Sequence, residues 1–268
     1  MPTRDEIVAI VVDDEKIAGT IVAPSRRMPG VLFVHGWGGS QDQYIARARE
    51  VAALGCICLT FDLRGHVQTR AQKETVSREH GLRDVLAAYD VLVHQRGVDP
   101  DRIAVVGSSY GGYLAAILTT SRPVRWLALR VPALYKDSEW NVPKGQLKKQ
   151  QDLDAYRRKP VRPHESRALR GCADFEGDVL IVESEHDNVV PHQVIVNYRE
   201  ACTRARSLTY RIIEGADHSL SEPRCQQAYT SLLVTWLSEV ALDKRPGAEP
   251  AQAQVGKSRH AGSAAANT

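Results

Sequence analysis

The stretch Gly107-Ser108-Ser109-Tyr110-Gly111-Gly112 constrains this chain more than any other. A short apolar run, RIAVV, leads into it, and YLAAILTT follows it. Such flanks ask a strand to turn directly into a helix. The segment fits G-x-S-x-G with Ser109 at its centre. In that motif the apical serine sits on strained backbone, and small residues two positions to either side keep neighbouring side chains clear. Ser108 lacks this register, because its flanking positions are Val106 and Tyr110. A phosphate-cradling loop does not fit: the stretch has no G-K-[ST] ending and no G-x-G-x-x-G. Alone, the motif also fits an ordinary glycine-rich turn.

A serine hydroxyl is a weak nucleophile unless a base and an orienting carboxylate serve it. In this geometry the acid and then the histidine follow the serine in chain order. After the run VLIVES comes EHDNVVP, which puts Asp187 in the loop beyond a strand. After LTYRIIEG comes ADHSLSEP, which puts His218 in the next such loop. Both loops belong to the edge where α/β sheets build their sites. Glu185 is the alternative acid, Glu183 still lies on the strand, and Asp217 is expected to shape a turn. His186 and His192 are weaker candidates for the base. An oxyanion hole needs two donors. The backbone N–H of Tyr110 supplies one, and the loop FVHGWGGS the other. Within that loop Gly36, Gly38 and Gly39 allow close approach of backbone to substrate, and the Trp37 N–H is the chosen donor. The Trp37 indole is expected to wall the acyl pocket.

Around these loops, apolar and β-branched runs recur at 7–12, 17–23, 31–34, 56–61, 103–106, 124–130, 179–183 and 208–213. Helical spacing marks 42–54, 78–95, 109–120, 191–204 and 222–240. The first two runs are joined only by DDEK and predict a hairpin. The others alternate with helices and predict a parallel sheet covered on both faces. One region breaks the rhythm. Residues 131–178 are polar, basic and punctuated by proline, too long for a plain connection. They are read as a small insertion over the carboxyl edge, with one or two short helices. Trp140 is offered there as substrate-binding, and Tyr135 and Leu134 either line a pocket or form the insertion's own core. The domain is expected to run over 1–244, with 245–268, rich in Ala, Gly, Gln and Ser, as a disordered tail.

Charge and cysteine usage narrow the function classes. The net charge of +3 hides a concentration: residues 136–170 carry ten Lys/Arg against five Asp/Glu. With few aromatics and no nucleic-acid motif, this predicts a solvated surface and no nucleic-acid partner. A basic rim that steers anionic substrates is the alternative. The N-terminal MPTRDEIVAIVVDDEK predicts neither a signal nor a transit peptide, and no apolar stretch is long enough to predict a membrane span. Five scattered cysteines predict buried free thiols in a reducing, cytoplasmic setting. Histidines and cysteines show no ligand spacing, so neither a metal nor a cofactor is expected.

The stretches HGWGG, FDLRGH, VDPDRIAVVGSSYGG, SEHDNVVP and GADHSL resemble the α/β-hydrolase family over about residues 5–240. Among its branches they look most like dienelactone-hydrolase-like esterases and prolyl-oligopeptidase-type peptidases. The resemblance implies an α/β-hydrolase fold: a mostly parallel eight-stranded sheet with an early antiparallel strand. It also implies a triad of Ser109, Asp187 and His218. Two departures stand out: no N-terminal propeller is expected, and the expected nucleophile is serine where dienelactone hydrolases proper carry cysteine. Val67 follows RGH where relatives often have glycine, and Arg64 and His66 are read as structural. The expected activity is hydrolysis of a small-molecule carboxylic ester through an acyl-enzyme. A peptidase, amidase or thioesterase would use the same triad, and a non-catalytic scaffold is the remaining alternative.

Overall fold

Alternation along the strands assigns every second side chain to one of two apolar layers. The computed structural model describes residues 4–23, 28–147 and 152–241. In β3 (Met28–Val34), Leu32 and Val34 enter one layer while Val31 and Phe33 enter the other. In β5 (Val98–Ser108), Ile103 and Val105 alternate with Ala104 and Val106 in the same way. In β7 (Asp178–Ser184), Val179 and Ile181 alternate with Leu180 and Val182. Strands buried on both faces need helices on both faces, and the molecule supplies them. On one side lie α2 (Arg78–His94), α3 (Tyr110–Leu118), α5 (Arg167–Asp174) and α6 (His192–Ala201). On the other lie α1 (Asp42–Ala53) and α7 (Pro223–Ala241). Helix α7 shows why it packs: Cys225, Tyr229, Leu233, Trp236, Leu237 and Val240 form one buried stripe at helical spacing.

The eight strands run in the order β1-β2-β4-β3-β5-β6-β7-β8. The remaining strands are β1 (Arg4–Val12), β2 (Glu15–Ala23), β4 (Ile57–Phe61), β6 (Trp126–Arg130) and β8 (Ser207–Ile213). β2 runs antiparallel to β1 and β4, and every later pairing is parallel. The predicted hairpin is present. Val12 pairs with Glu15, and Asp13 and Asp14 take φ 48° and 67°. Two positive φ angles in a two-residue loop match the twist of the strands it joins, and aspartate tolerates them.

β5 begins earlier than periodicity suggests. Val98 and Asp99 pair with Met28 and Pro29, and the register then shifts so that Gly30 meets Ile103. The polar, proline-containing VDPD lies outside the apolar run 103–106, yet parallel pairing carries Val98 and Asp99 into the sheet. Within 131–178, α4 (Leu153–Arg157) is short, whereas α5 is the ordinary crossover helix between β6 and β7. α5 packs so closely on α3 that a Cβ at Gly171 would lie 2.1 Å from the Ala116 carbonyl oxygen. Leu134 and Tyr135 are buried in the main core. All five cysteines are buried with free thiols. Among the described residues no helix is long and apolar enough to cross a membrane. The expected tail from 245 lies outside the described residues.

Candidate active site

Strand order brings the carboxyl ends of β3, β5, β6, β7 and β8 side by side, and the predicted site residues stand there. Ser109 joins β5 to α3 with φ 53° and ψ −116°, so the helix starts only at Tyr110. Such a backbone is costly for a non-glycine residue and persists only where its surroundings enforce it. Here they do. Ser109 N–H donates to the Arg130 carbonyl at 2.9 Å, and the Ser109 carbonyl accepts from Tyr113 and Ala133 amides at 3.1 and 2.9 Å. The glycines of the motif are sterically required. A Cβ on Gly111 would stand 2.2 Å from the Val34 carbonyl oxygen, and one on Gly107 would stand 2.5 Å from that of Gly111.

His218 Nε2 lies 3.0 Å from Ser109 Oγ, and His218 Nδ1 lies 2.7 Å from Asp187 Oδ2. The other carboxylate oxygen, Oδ1, accepts from the amides of Val189 at 2.8 Å and Val190 at 2.7 Å. Burial raises the Asp187 pKa. The His218 hydrogen bond and these two amides outweigh that effect and hold it below the ordinary carboxylate value. The carboxylate is therefore ionised and acts as acceptor, which gives His218 a proton on Nδ1 and a free lone pair on Nε2, facing Ser109. The other acids are engaged elsewhere. Glu185 accepts from the Gly215 amide at 2.7 Å, and Glu183 contacts His192 Nδ1 at 2.7 Å and the Tyr210 hydroxyl. Asp217 accepts from both the amide and hydroxyl of Ser221, capping a turn. His186 is exposed and faces Glu185.

The Tyr110 amide opens helix α3, and neither it nor the Trp37 amide has an acceptor among the described residues. The Trp37 loop lies against Ser109: a Cβ on Gly36 would be 3.2 Å from Ser109 Cβ. This loop is held from behind by two histidines. His35 Nδ1 contacts the Gly36 carbonyl at 2.8 Å, and its Nε2 accepts from the Leu63 amide at 3.0 Å. His66 Nε2 accepts from the Gly38 amide at 2.9 Å, while its Nδ1 faces the Leu63 and Arg64 carbonyls. Desolvation lowers both pKa values, His35 to about 4, so both rings are neutral and serve as acceptors. Behind them, Arg64 forms a buried pair with Asp84 at 2.6 Å.

A cleft of about 140 Å³ opens at Ser109, lined by Gly36, Trp37, Tyr44, Arg130, His218 and Ser219, among others. Trp140 lines neither this cleft nor its neighbour. Its indole N–H donates to Glu79, and its ring lies beneath Arg78 and Arg167. Arg130 is the cleft residue that strand reading passes over. Its one signal was a charge ending the otherwise apolar run WLALR.

The profile of the prolyl oligopeptidase family matches residues 43–244. An uncharacterised protein of Mycobacterium tuberculosis (strain H37Rv) is 27% identical over 217 residues, or 80% of this chain and 71% of that protein. A dienelactone hydrolase from Anabaena variabilis superposes with a TM-score of 0.64 at 19% identity, covering 89% of this chain and 99% of that one. Est1E from Butyrivibrio proteoclasticus, solved with ferulic acid bound, gives a TM-score of 0.69 at 16% identity over 88% and 100% of the two chains. These likenesses show the α/β-hydrolase fold.

Proposed function

The chain belongs to the prolyl oligopeptidase family of α/β hydrolases, and on that premise we propose that it is a serine hydrolase that cleaves small carboxylic esters. The observation that carries this reading is the unbroken hydrogen-bonded line from Asp187 through His218 to Ser109. Ser109 Oγ attacks the ester carbonyl as His218 Nε2 takes its proton. Asp187 holds the imidazole in the reactive tautomer and stabilises the imidazolium. The Trp37 and Tyr110 amides receive the oxyanion, helped by the positive end of α3. His218 then returns the proton to the departing alcohol, and water resolves the acyl-enzyme by the same steps in reverse.

Labelling with a fluorophosphonate tests the reading. The wild type is expected to be modified at Ser109 and Ser109→Ala to stay unlabelled. An intact wild type after exposure sinks the proposal. A matched 4-nitrophenyl ester and 4-nitroanilide of one acyl group then separates esterase from amidase, the ester being the expected substrate.

A further inference from the structure

Two guanidinium groups lie beside the Ser109 cleft without a carboxylate to neutralise them among the described residues. Arg130, at the end of β6, is 7% exposed. Its Nε donates to Ser108 Oγ at 3.2 Å, Nη1 to Ser184 Oγ at 3.3 Å and Nη2 to the His218 carbonyl at 3.0 Å. All three acceptors are neutral, and two of its five N–H donors remain. Arg47, on α1, is 8% exposed. Its Nε donates to Thr230 Oγ1 at 3.1 Å and its Nη1 reaches the Gln43 carbonyl at 3.5 Å. Nη2 has no acceptor among the described residues. Both pack over the ring of Tyr229, at 4.6 and 5.7 Å from its centroid, and both line one hollow.

Buried charges are normally paired, because desolvation without a counter-ion is expensive and like charges repel strongly at low dielectric. An anion entering between these two would relieve both costs, and a route for one exists. The cleft at Ser109 adjoins a second cavity of about 140 Å³, which runs past Arg130 to Arg47. Gln43, Tyr44, Arg130 and Ser219 border both hollows, and no aspartate or glutamate lines either. Ser109 and the two cations thus line adjoining hollows, with Arg130 at the border of both. We propose that Arg130 and Arg47 form an anion subsite that selects esters bearing a carboxylate on one arm. This specificity rests on the hydrolase reading above.

Arg130 also ties the His218 backbone to the sheet, so its replacement would mix binding with structure. Arg47 touches neither Ser108 nor His218 and makes the cleaner probe. kcat/KM is measured for 4-nitrophenyl hemisuccinate and 4-carboxyphenyl butyrate, each relative to 4-nitrophenyl butyrate. The first ester carries its acid on the acyl arm and the second on the alcohol arm. The arm that reaches the subsite is expected to lose its advantage at least tenfold in Arg47→Met, with Arg47→Lys intermediate. Unchanged ratios on both arms overturn the subsite even if every ester is hydrolysed. Calorimetric titration of succinate into Ser109→Ala gives a readout free of turnover. Adding Arg47→Met to that background is expected to weaken binding at least tenfold, and equal binding overturns the proposal. Succinate binding that depends on Arg47 in a protein inert to fluorophosphonate would remove the hydrolase reading and leave the subsite standing.

Discussion

Acidification is expected to loosen, through His35, the loop that carries Trp37, by an amount that can be worked from its surroundings. The His35 ring is buried. Its Nε2 must stay unprotonated to accept from the Leu63 amide, 3.0 Å away. Desolvation lowers its pKa from 6.5 to about 4, with the Gly36 carbonyl opposing and the adjacent His66 adding to the fall. In the unfolded chain the same ring titrates near 6.5. Above that pH both states are neutral and the contribution to stability is complete. Below it the unfolded state takes up the proton first, so stability falls by about 1.4 kcal/mol per pH unit until the folded ring titrates near 4. The loss over that window is about 3 kcal/mol, a large share of the 5–15 kcal/mol that holds a typical domain together. His35→Gln keeps an acceptor for the Leu63 amide but cannot titrate. Urea unfolding of both proteins at pH 7.5, 6, 5 and 4.5 measures the gap between them. The wild-type advantage is expected to shrink steadily below pH 6.5. A gap independent of pH would refute the assignment of His35 as a buried neutral acceptor.

The remaining expectations concern the elbow and the triad. Ser109→Ala should lower turnover by on the order of 10⁶. Ser108→Ala, which deletes an acceptor of Arg130 Nε and a side-chain partner of Tyr229, should keep fluorophosphonate labelling and lose about 1 kcal/mol in urea unfolding. Asp187→Asn replaces an acceptor that holds the His218 Nδ1 proton and should cost ~10⁴ in kcat, with the fold intact by circular dichroism. Gly111→Ala drives a methyl into two carbonyl oxygens, of Val34 at 2.2 Å and His35 at 2.5 Å. It should yield little soluble protein, whereas Gly112→Ala meets only Pro132 and the Gly107 carbonyl oxygen at 3.1–3.2 Å and should fold with a loss of about 1–3 kcal/mol.

What was legible in the sequence follows from how local each signal is. A strand announces its end, and in a parallel sheet the ends of successive strands fall on one edge. Ser109, Asp187 and His218 could therefore be brought together from order and position alone. The supporting residues give no such signal. His66 meets the loop residue Gly38 from 28 positions away, and its role depends on which nitrogen faces which backbone group. Arg130 is held by partners 22, 54 and 88 residues distant, a set no window of sequence contains. Arg47 is a different case. It lies three residues after Tyr44 and four before Val51, hence on the buried face of α1, but a charged residue in an amphipathic helix is read as solvent-facing by default.

That default also misdirects the reading of charge. The ten basic residues of 136–170 are the conspicuous feature of the sequence; they predict a solvated surface, with an anion-steering rim as the alternative. Several prove to be engaged with aromatic rings. Lys144 Nζ lies 4.9, 5.5 and 5.2 Å from the Trp37, Tyr110 and Tyr135 ring centroids, and Arg167 lies 4.2 Å from that of Trp140. Exposed cations are screened within about 10 Å at ordinary salt, so their number says little about what the cleft binds. Arg47 and Arg130 are only two, but both are buried without a carboxylate partner among the described residues. Arg130 lines the Ser109 cleft and Arg47 the hollow beside it. In the proposed subsite they therefore act where the effective dielectric is low and each contact counts several-fold more. The preference for acidic esters should accordingly survive added salt far better than steering by a surface rim would. A tenfold increase in ionic strength that abolishes the advantage of the acidic ester would move the responsible charges from the cleft floor back to the surface.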